Sequence, residues 1–170
     1  MSERLIVTSN SLSFRGKTYH CAIGKSGFSD HKKEGDGCTP LGTFPLRECW
    51  YRADRVAPPK TRLPLHIIHQ EDGWCDDVRS KDYNRHIKIS SSAKEYSFER
   101  LWHDDHLYDL IIPMGYNDDP IVSGKGSAIF LHIAHGDYRP TEGCVALAKD
   151  DLLTLLPHLD TNSLIEIRKT

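Results

Sequence analysis

Long apolar runs are missing from this 170-residue sequence, and none approaches the roughly 20 residues that a bilayer-spanning helix needs. The first apolar run, from Leu5 to Val7, stops before Thr8 and is too short for the apolar segment of a secretory signal peptide. Neither end carries a lipidation motif. We therefore predict a cytoplasmic location and no membrane partner.

An excess of positive charge is also missing, because 22 Lys and Arg face 24 Asp and Glu, for a formal net charge of -2. Such a balance creates no broad basic field, which argues against nucleic acid as a partner. Hydrophobic residues make up 38% of the chain and charged residues 27%, a composition typical of soluble globular proteins. Since the sequence shows no repeat and no linker-like segment, we predict one domain over residues 1–170 and a monomer.

Cysteines are few, and the five present are odd in number, widely spaced and without a C-x-x-C pair. This pattern argues against a disulfide framework and against a zinc knuckle. His132 and His135, with Asp137 nearby, suit zinc by residue type. Residues three apart on a strand point to opposite faces, however, so we favour a site without metal and a chain without cofactor.

The patterning that is present is mostly that of strands. Short apolar segments alternate with polar turns over residues 5–23, which predicts an antiparallel meander. Two near-continuous apolar runs, residues 109–114 and 128–133, are typical of central strands buried on both faces. We predict a mainly β fold, built as a twisted mixed sheet or a β-sandwich with one or two short helices.

One helix is predicted near the C-terminus. Asp150 and Asp151 suit the positive end of a helix dipole, and Pro157 should kink or shorten the helix. Residues 164–168 then return to a strand pattern. The apolar positions at helical spacing are Leu152, Leu155, Leu156 and Leu159.

The segment from Gly124 to Leu147 contains a histidine and a cysteine in a pattern that suggests chemistry. His132 lies in a buried type of strand, and a polar loop leads from it to Cys144. A free thiol is only a few per cent ionised near neutral pH, so a nucleophilic cysteine needs a base within hydrogen-bond range. A strand holds an imidazole more rigidly than a loop does. We predict Cys144 as nucleophile and His132 as base, although a purely structural pair fits these two residues equally well.

The backbone around the cysteine is predicted to stabilise an oxyanion. Gly143 allows close approach of a substrate, and its amide can donate to a developing negative charge. The turn of residues 141–144 is thus the expected oxyanion turn. The long polar loop from Gly24 to Gly42 is expected to form a wall of the site.

The wider pattern resembles the YkuD-like L,D-transpeptidase family. Residues 126–132 (GSAIFLH) and 141–147 (TEGCVAL) are similar to that family's strand histidine and Ser/Thr-x-Gly-Cys turn. Residues 39–44 (TPLGTF) resemble its upstream T-P-x-G-x-F element, and residues 82–85 (DYNR) resemble an element of its short bacterial members. Similarity at residues 103–109 (HDDHLYD) extends the resemblance over most of the chain.

The resemblance implies an acyl-enzyme on Cys144, with His132 as base and the backbone carbonyl of Ile133 orienting the imidazole. It also implies peptidoglycan stem peptides as the partner. The chain departs from the commonest family pattern at Glu142, where a second histidine is usual. Because a carboxylate cannot donate as an imidazolium does, we expect different electrostatics on the oxyanion side.

The resemblance further implies cleavage between the L-centre of a diamino acid and a terminal D-alanine. A cytoplasmic enzyme meets recycled stem peptides and abundant water, so we predict an L,D-carboxypeptidase that trims murein tetrapeptides to tripeptides. An L,D-transpeptidase that forms cross-links or exchanges D-amino acids is the alternative. A non-catalytic module that binds murein fragments is the second alternative.

Polar residues in and near these motifs are predicted to contact the substrate. Arg85 or Arg139 could pair with a substrate carboxylate through a bidentate contact. A turn with a solvated arginine fits the same residues equally well. The predicted substrate-contacting residues are Tyr83, Asn84, Arg85, Arg139, Thr141 and Glu142.

Overall fold

Strands dominate the structure, a computed structural model that describes residues 3–90 and 95–170. The mainly β prediction is confirmed, and residues 1–2 and 91–94 of the predicted 1–170 domain lie outside the described residues. The strands are β1 (Arg4–Thr8), β2 (Ser11–Phe14), β3 (Lys17–Ala22), β4 (Phe28–Ser29), β5 (Thr39–Pro40), β6 (Gly42–Pro45), β7 (Cys49–Tyr51), β8 (Leu65–Ile67), β9 (Asp72–Cys75), β10 (His86–Lys88), β11 (Phe98–Arg100), β12 (Leu110–Pro113), β13 (Phe130–Ile133), β14 (Val145–Leu147) and β15 (Leu164–Ile167).

Ten of the described strands form one mixed sheet, in the order β6-β15-β1-β2-β3-β14-β13-β12-β7-β8. The pairs β1 with β15, β13 with β14 and β7 with β8 are parallel, and β13 runs antiparallel to β12. The predicted meander is present as β1, β2 and β3. The two apolar runs form β12 and β13 in the interior of the sheet, as their patterning predicts.

The interior strands are buried on both faces. On β13, Leu131 and Ile133 belong to a large apolar cluster, whereas Phe130 belongs to a smaller cluster. Successive side chains of a strand point to opposite faces, so the two clusters lie on opposite sides of the sheet. Leu152 and Leu155 of the C-terminal helix belong to the large cluster and cover its side of the sheet.

The helix follows the predicted pattern. Helix α1 spans Lys149–Leu155 with Asp150 and Asp151 in its first turn. A short 3-10 helix, Leu156–His158, continues it and contains Pro157. No helix in the described ranges combines the length and apolarity needed to cross a membrane.

The middle of the chain contains a second sheet that the sequence pattern does not indicate. Strand β9 lies between β10 and β11 in a three-stranded antiparallel sheet. The carboxylate of Asp72 on β9 is fully buried and contacts His86 and Lys88 on β10, each at 2.7 Å. These polar residues interrupt the apolar alternation by which a strand is recognised in the sequence. In the structure they pair with each other across neighbouring strands.

We predict that Leu131→Ala lowers the free energy of unfolding by about 2–5 kcal/mol, because the fully buried side chain leaves a cavity between close-packed elements. Leu65→Ala on β8 is the matched control; its side chain is 39% exposed, and its loss should cost less than about 0.5 kcal/mol. Urea unfolding of both variants measures the difference. Equal losses would contradict the central position of β13.

Candidate active site

A cleft of about 560 Å³ opens beside β13, on the face that carries the smaller apolar cluster. Its walls come from the loop after β4, from β11, from the segment before β12 and from the turn before β14. The lining includes Lys32, Glu34, Glu99, Tyr108, His132 and Cys144. The structure thus brings the predicted nucleophile and base to one cavity.

The parallel pairing of β13 with β14 places these two side chains on one face. Leu131 pairs with Val145 and His132 pairs with Ala146. Paired residues of neighbouring strands point the same way, so Cys144, which precedes Val145, points to the same side as His132. The thiol and the imidazole therefore enter the cleft on the same face, two residues apart in the register of the two strands.

His132 is buried and held by the backbone. Its Nδ1 lies 2.8 Å from the carbonyl oxygen of Ile133, and its ring meets the ring of Tyr108 edge-on at 5.2 Å. A carbonyl can only accept, so Nδ1 carries the hydrogen and Nε2 keeps a free lone pair. Burial lowers the pKa of His132 to about 4, which leaves the ring neutral near pH 7.

Cys144 is also buried, and its thiol is held in the protonated form. Its Sγ donates to the carbonyl of Ala128 at 3.2 Å and accepts from the N–H of Phe130 at 3.3 Å. Burial raises the pKa of Cys144 to about 12, and the negative charge of Glu99 acts in the same direction. Within the described structure, no direct hydrogen bond joins Cys144 to His132. The resting pair is a neutral thiol and a neutral imidazole.

The turn before Cys144 is fixed by two threonine hydroxyls. Thr141 donates its hydroxyl hydrogen to the carbonyl of Cys144 at 2.6 Å, and Thr39 donates to the carbonyl of Gly143 at 2.8 Å. Gly143 has a φ of 145°, and a Cβ at this position would lie 2.8 Å from the carbonyl oxygen of Cys38. Only glycine fits there.

The prediction that the Gly143 amide faces an oxyanion needs correction. This N–H donates to the hydroxyl oxygen of Thr141 at 3.1 Å, so its hydrogen is used inside the turn. The hydrogen bonds of the described turns and loops do not use the N–H of Cys144. The amide available beside the thiol is therefore that of Cys144 itself, and Thr141 acts as a backbone clamp as well as a cleft-lining residue.

Glu142 lines the rim of the cleft and not its interior. Its side chain is 80% exposed and pairs with Lys25 at 2.9 Å. An exposed pair of this kind contributes little to stability, because solvent screens both charges. The carboxylate at this position therefore reaches solvent, and its charge is partly balanced by the neighbouring lysine.

The polar loop predicted as a site wall does form one. The side chain of Lys32 is 4% exposed and pairs with Asp36 at 2.8 Å, and both Lys32 and Glu34 line the cleft. Glu34 accepts hydrogen bonds from Tyr83 at 2.8 Å and from Ser127 at 2.5 Å. The sequence analysis identified this loop but neither Lys32 nor Glu34 within it.

Asn84 holds the backbone next to the cysteine. Its Oδ1 accepts from the indole of Trp74 at 2.9 Å and from the N–H of Ala128 at 3.1 Å. Its Nδ2 donates to the carbonyls of Tyr116 and Asn117, at 3.2 and 2.8 Å. The amide group is fully used, and it positions Ala128, whose carbonyl accepts the hydrogen of the Cys144 thiol.

The other predicted contact residues do not line the cleft. Tyr83, like Asn84, is buried with its hydroxyl used internally, so these two support the cleft wall instead of facing a peptide. Arg139 is paired with Asp137 at 3.2 Å, and neither Arg139 nor Arg85 lines the cleft. Tyr83 and Asn84 are thus occupied by internal contacts, whereas the substrate contacts expected of Arg85 and Arg139 stay predictions.

A pair that sequence reasoning missed, Glu99 and Tyr108, forms the opposite wall. The Tyr108 hydroxyl donates to Glu99, and the Tyr108 ring stacks on His103 at 4.1 Å. Burial raises the pKa of the Glu99 carboxyl above its ordinary value. Glu99 carries no motif, whereas Tyr108 belongs to the 103–109 element that resembles the family pattern.

Two arginines fasten the segment that carries Tyr108. Arg52 donates to the carbonyl of His103 at 2.7 Å, and its guanidinium lies 3.4 Å from the ring centroid of Trp102. Arg55 pairs with the buried carboxylate of Asp109 at 3.0 Å. Planar, multidentate arginine contacts of this kind give a loop a defined position.

The residues of the zinc alternative are spread out. His132 and His135 both line the cleft, but Asp137 is paired with Arg139 at its surface. Over residues 3–90 and 95–170, no group of three or more His, Cys, Asp or Glu side chains is arranged to hold a metal ion. The described chemistry of the cleft is that of a thiol, an imidazole and backbone amides.

Comparison with known proteins gives one family. The model of the L,D-transpeptidase catalytic domain, YkuD, matches residues 2–167. No curated protein sequence is significantly similar to the chain.

Solved structures give distant matches. L,D-transpeptidase 1 of Mycobacterium tuberculosis is 12% identical, with 98% of this chain and 58% of that chain covered and a TM-score of 0.44. An L,D-transpeptidase from Mycobacterium smegmatis is 13% identical, with 98% and 58% covered and a TM-score of 0.45. An L,D-transpeptidase in complex with imipenem is 13% identical, with 98% and 59% covered and a TM-score of 0.44. The chain thus spans less than two thirds of the length of these proteins.

The state of the thiol predicts how it reacts with pH. Because the pKa of Cys144 is raised to about 12, its thiolate fraction should grow about tenfold per pH unit from pH 7 to 10. Iodoacetamide alkylation of Cys144, followed by peptide mass spectrometry, should show this slope without a plateau. His132→Ala should leave the slope unchanged, since the imidazole is already neutral above about pH 4. A plateau near pH 7 that disappears in His132→Ala would reveal a preformed ion pair instead.

Asn84→Asp should destabilise the protein by about 2–3 kcal/mol. The substitution keeps the size of the side chain but removes two N–H donors and turns a carboxylate oxygen toward the carbonyls of Tyr116 and Asn117. Asn162→Asp, at an exposed turn, is the matched control and should have little effect. Urea unfolding checks both, and an unchanged stability of the Asn84 variant would contradict the four-bond network.

Proposed function

Because this chain belongs to the L,D-transpeptidase catalytic domain (YkuD) family, we propose that it is an L,D-carboxypeptidase that releases the terminal D-alanine of murein tetrapeptides through an acyl-enzyme on Cys144. The observation that carries the proposal is the entry of Cys144 and His132 into one cleft from the same face of a sheet. Activity, substrate and partner are all parts of this proposal.

The first step is the attack of sulfur on the peptide carbonyl. The Nε2 lone pair of His132 takes the thiol hydrogen as Cys144 attacks the carbonyl carbon of the diamino acid. Since both groups are neutral at rest, the proton moves during the attack and not before it. The hydrogen bond from Nδ1 to Ile133 strengthens as the ring becomes charged, which keeps the imidazolium in place.

The tetrahedral intermediate then collapses. Its oxyanion is stabilised by the amide of Cys144, which the turn leaves available next to the sulfur. The imidazolium of His132 gives its proton to the departing amine, so D-alanine leaves and a thioester remains on Cys144. Water, activated by the same imidazole, hydrolyses the thioester and returns the thiol and the ring to their neutral states.

We favour hydrolysis over transfer to a second stem peptide because water is the abundant acceptor at the location predicted from the sequence. The cleft, of about 560 Å³, has the size of a site for one small ligand. The cytoplasmic location predicted from the sequence belongs to the same proposal, and cell fractionation with detection of the native protein tests it.

The central test is mass spectrometry of a purified tetrapeptide incubated with the protein. Wild type should release D-alanine; Cys144→Ala should lose at least about a thousandfold of the activity, and His132→Ala about 100- to 10,000-fold. Cys38→Ala, a cysteine whose thiol does not line the cleft, is the matched control and should remain active. Identical products from wild type and Cys144→Ala would refute the assignment.

Two further readouts separate the alternatives. With a labelled D-amino acid present, an exchange product in excess of tripeptide would favour transpeptidation or exchange over hydrolysis. A carbapenem should acylate Cys144, giving a mass increase that Cys144→Ala lacks. Binding of murein fragments without turnover and without this adduct would favour the binding module.

A further inference from the structure

Lys32 places a buried positive charge inside the cleft. Its side chain is 4% exposed, and it is the one Lys or Arg among the cleft-lining residues of the described chain. Lysine is almost never buried without a partner, because removing an ammonium ion from water is costly, and Lys32 pairs with Asp36 at 2.8 Å. Because a buried pair of this kind is weak evidence for stability, its position in the cleft calls for an explanation beyond stability.

The ammonium group lies beside the turn that carries the thiol. A Cβ built on Gly143 would lie 3.5 Å from Lys32 Nζ, and a Cβ built on Gly126 would lie 2.9 Å from Lys32 Cε. The Lys32 side chain thus passes Gly126 with its aliphatic part and Gly143 with its ammonium group, and Gly143 directly precedes Cys144. The positive charge of Lys32 also lowers the pKa of Cys144, against the larger effect of burial.

The partners of Lys32 leave part of the ammonium available. Asp36 lies 2.8 Å from Nζ, and the carbonyl of Lys33 lies at 3.5 Å. Asp36 is itself oriented by the backbone amides of Lys33 and Cys38, so its carboxylate stays on the loop side. An ammonium has three hydrogens, and these contacts use two of them.

We propose that Lys32 binds the C-terminal carboxylate of the peptide whose preceding carbonyl Cys144 attacks, and thereby selects substrates that end one residue after the scissile bond. The inference rests on the proposed function. Consecutive Cα atoms are about 3.8 Å apart, so a terminal carboxylate lies within one residue of the attacked carbonyl and within reach of a cation beside Gly143.

The remaining charges of the cleft favour this placement. Besides the imidazoles of His103, His132 and His135, its lining includes the acidic side chains of Glu34, Asp76 and Glu99, with Glu142 at the exposed rim. A substrate carboxylate facing the acidic side chains of the interior would meet like charge, which is unfavourable in a partly desolvated site. The Lys32 end is therefore where an anionic terminus fits, and charge-assisted contacts with an ammonium are among the stronger ones available.

The test compares a tetrapeptide with its C-terminal amide, which lacks the negative charge. Binding is measured by calorimetry in a Cys144→Ala background, so that turnover plays no part. The Lys32-containing protein should bind the acid roughly ten- to a hundredfold more tightly than the amide. Lys32→Met should lose this preference by weakening the acid alone, and Lys32→Arg should keep part of it. Lys33→Met, at the exposed neighbour, is the matched control and should keep all of it.

The outcomes separate this inference from the proposed function. If the Lys32-containing protein binds the acid and the amide with equal affinity, the inference is overturned and the proposed function is not. The same holds if Lys32→Met weakens the binding of both peptides equally. The latter result would assign Lys32 to the oxyanion or to the fold, and thermal unfolding of the variant distinguishes these. If neither peptide binds at all, the proposed function fails and the inference fails with it. If Lys32→Met does not fold, the ratio of the affinities for the acid and the amide, measured on the Lys32-containing protein, still tests the inference.

Discussion

The parallel pairing of β13 with β14 is the constraint on which the candidate site depends. Because His132 pairs with Ala146, the preceding Cys144 must point to the same face of the sheet. A shift of one residue in this register would move the thiol to the opposite face, into the large apolar cluster. The burial of Leu131 and Val145 on that other face opposes such a shift, so core packing and site geometry are set by the same ladder.

Burial of the pair determines its resting charge. An apolar environment disfavours both a thiolate and an imidazolium, and the pKa values of about 12 and about 4 move in opposite directions for that one reason. The hydrogen bond from the Cys144 thiol to Ala128 adds to this, since only the protonated sulfur can donate. A neutral thiol is a weak nucleophile, so in the proposed reaction the substrate has to provide the electrostatic change that drives proton transfer.

The parts that the sequence predicts well are those governed by local periodicity. Two continuous apolar runs predict β12 and β13, and the leucine spacing after Asp150 predicts α1. The β9 to β11 sheet escapes prediction because its polar residues are paired only across strands, as with Asp72 and His86. For the site, the spacing of the motif residues predicts that His132 lies on a strand and that Cys144 follows a turn. The internal use of the Gly143 amide and the wall formed by Glu99 are not predicted by spacing, because these depend on contacts between distant segments.

The position of the charges shows why a motif alone does not describe this site. The commonest family pattern has a histidine where this chain has Glu142, yet that side chain faces solvent and pairs with Lys25. The buried cation of the cleft instead comes from the loop after β4, where the ammonium group of Lys32 lies close to Gly143 of the thiol turn. A charge at the rim is screened by solvent, whereas the charge of Lys32, which is 4% exposed and paired with Asp36, is screened much less. The electrostatic character beside the thiol turn therefore depends more on the pair of Lys32 and Asp36 than on the residue that departs from the motif.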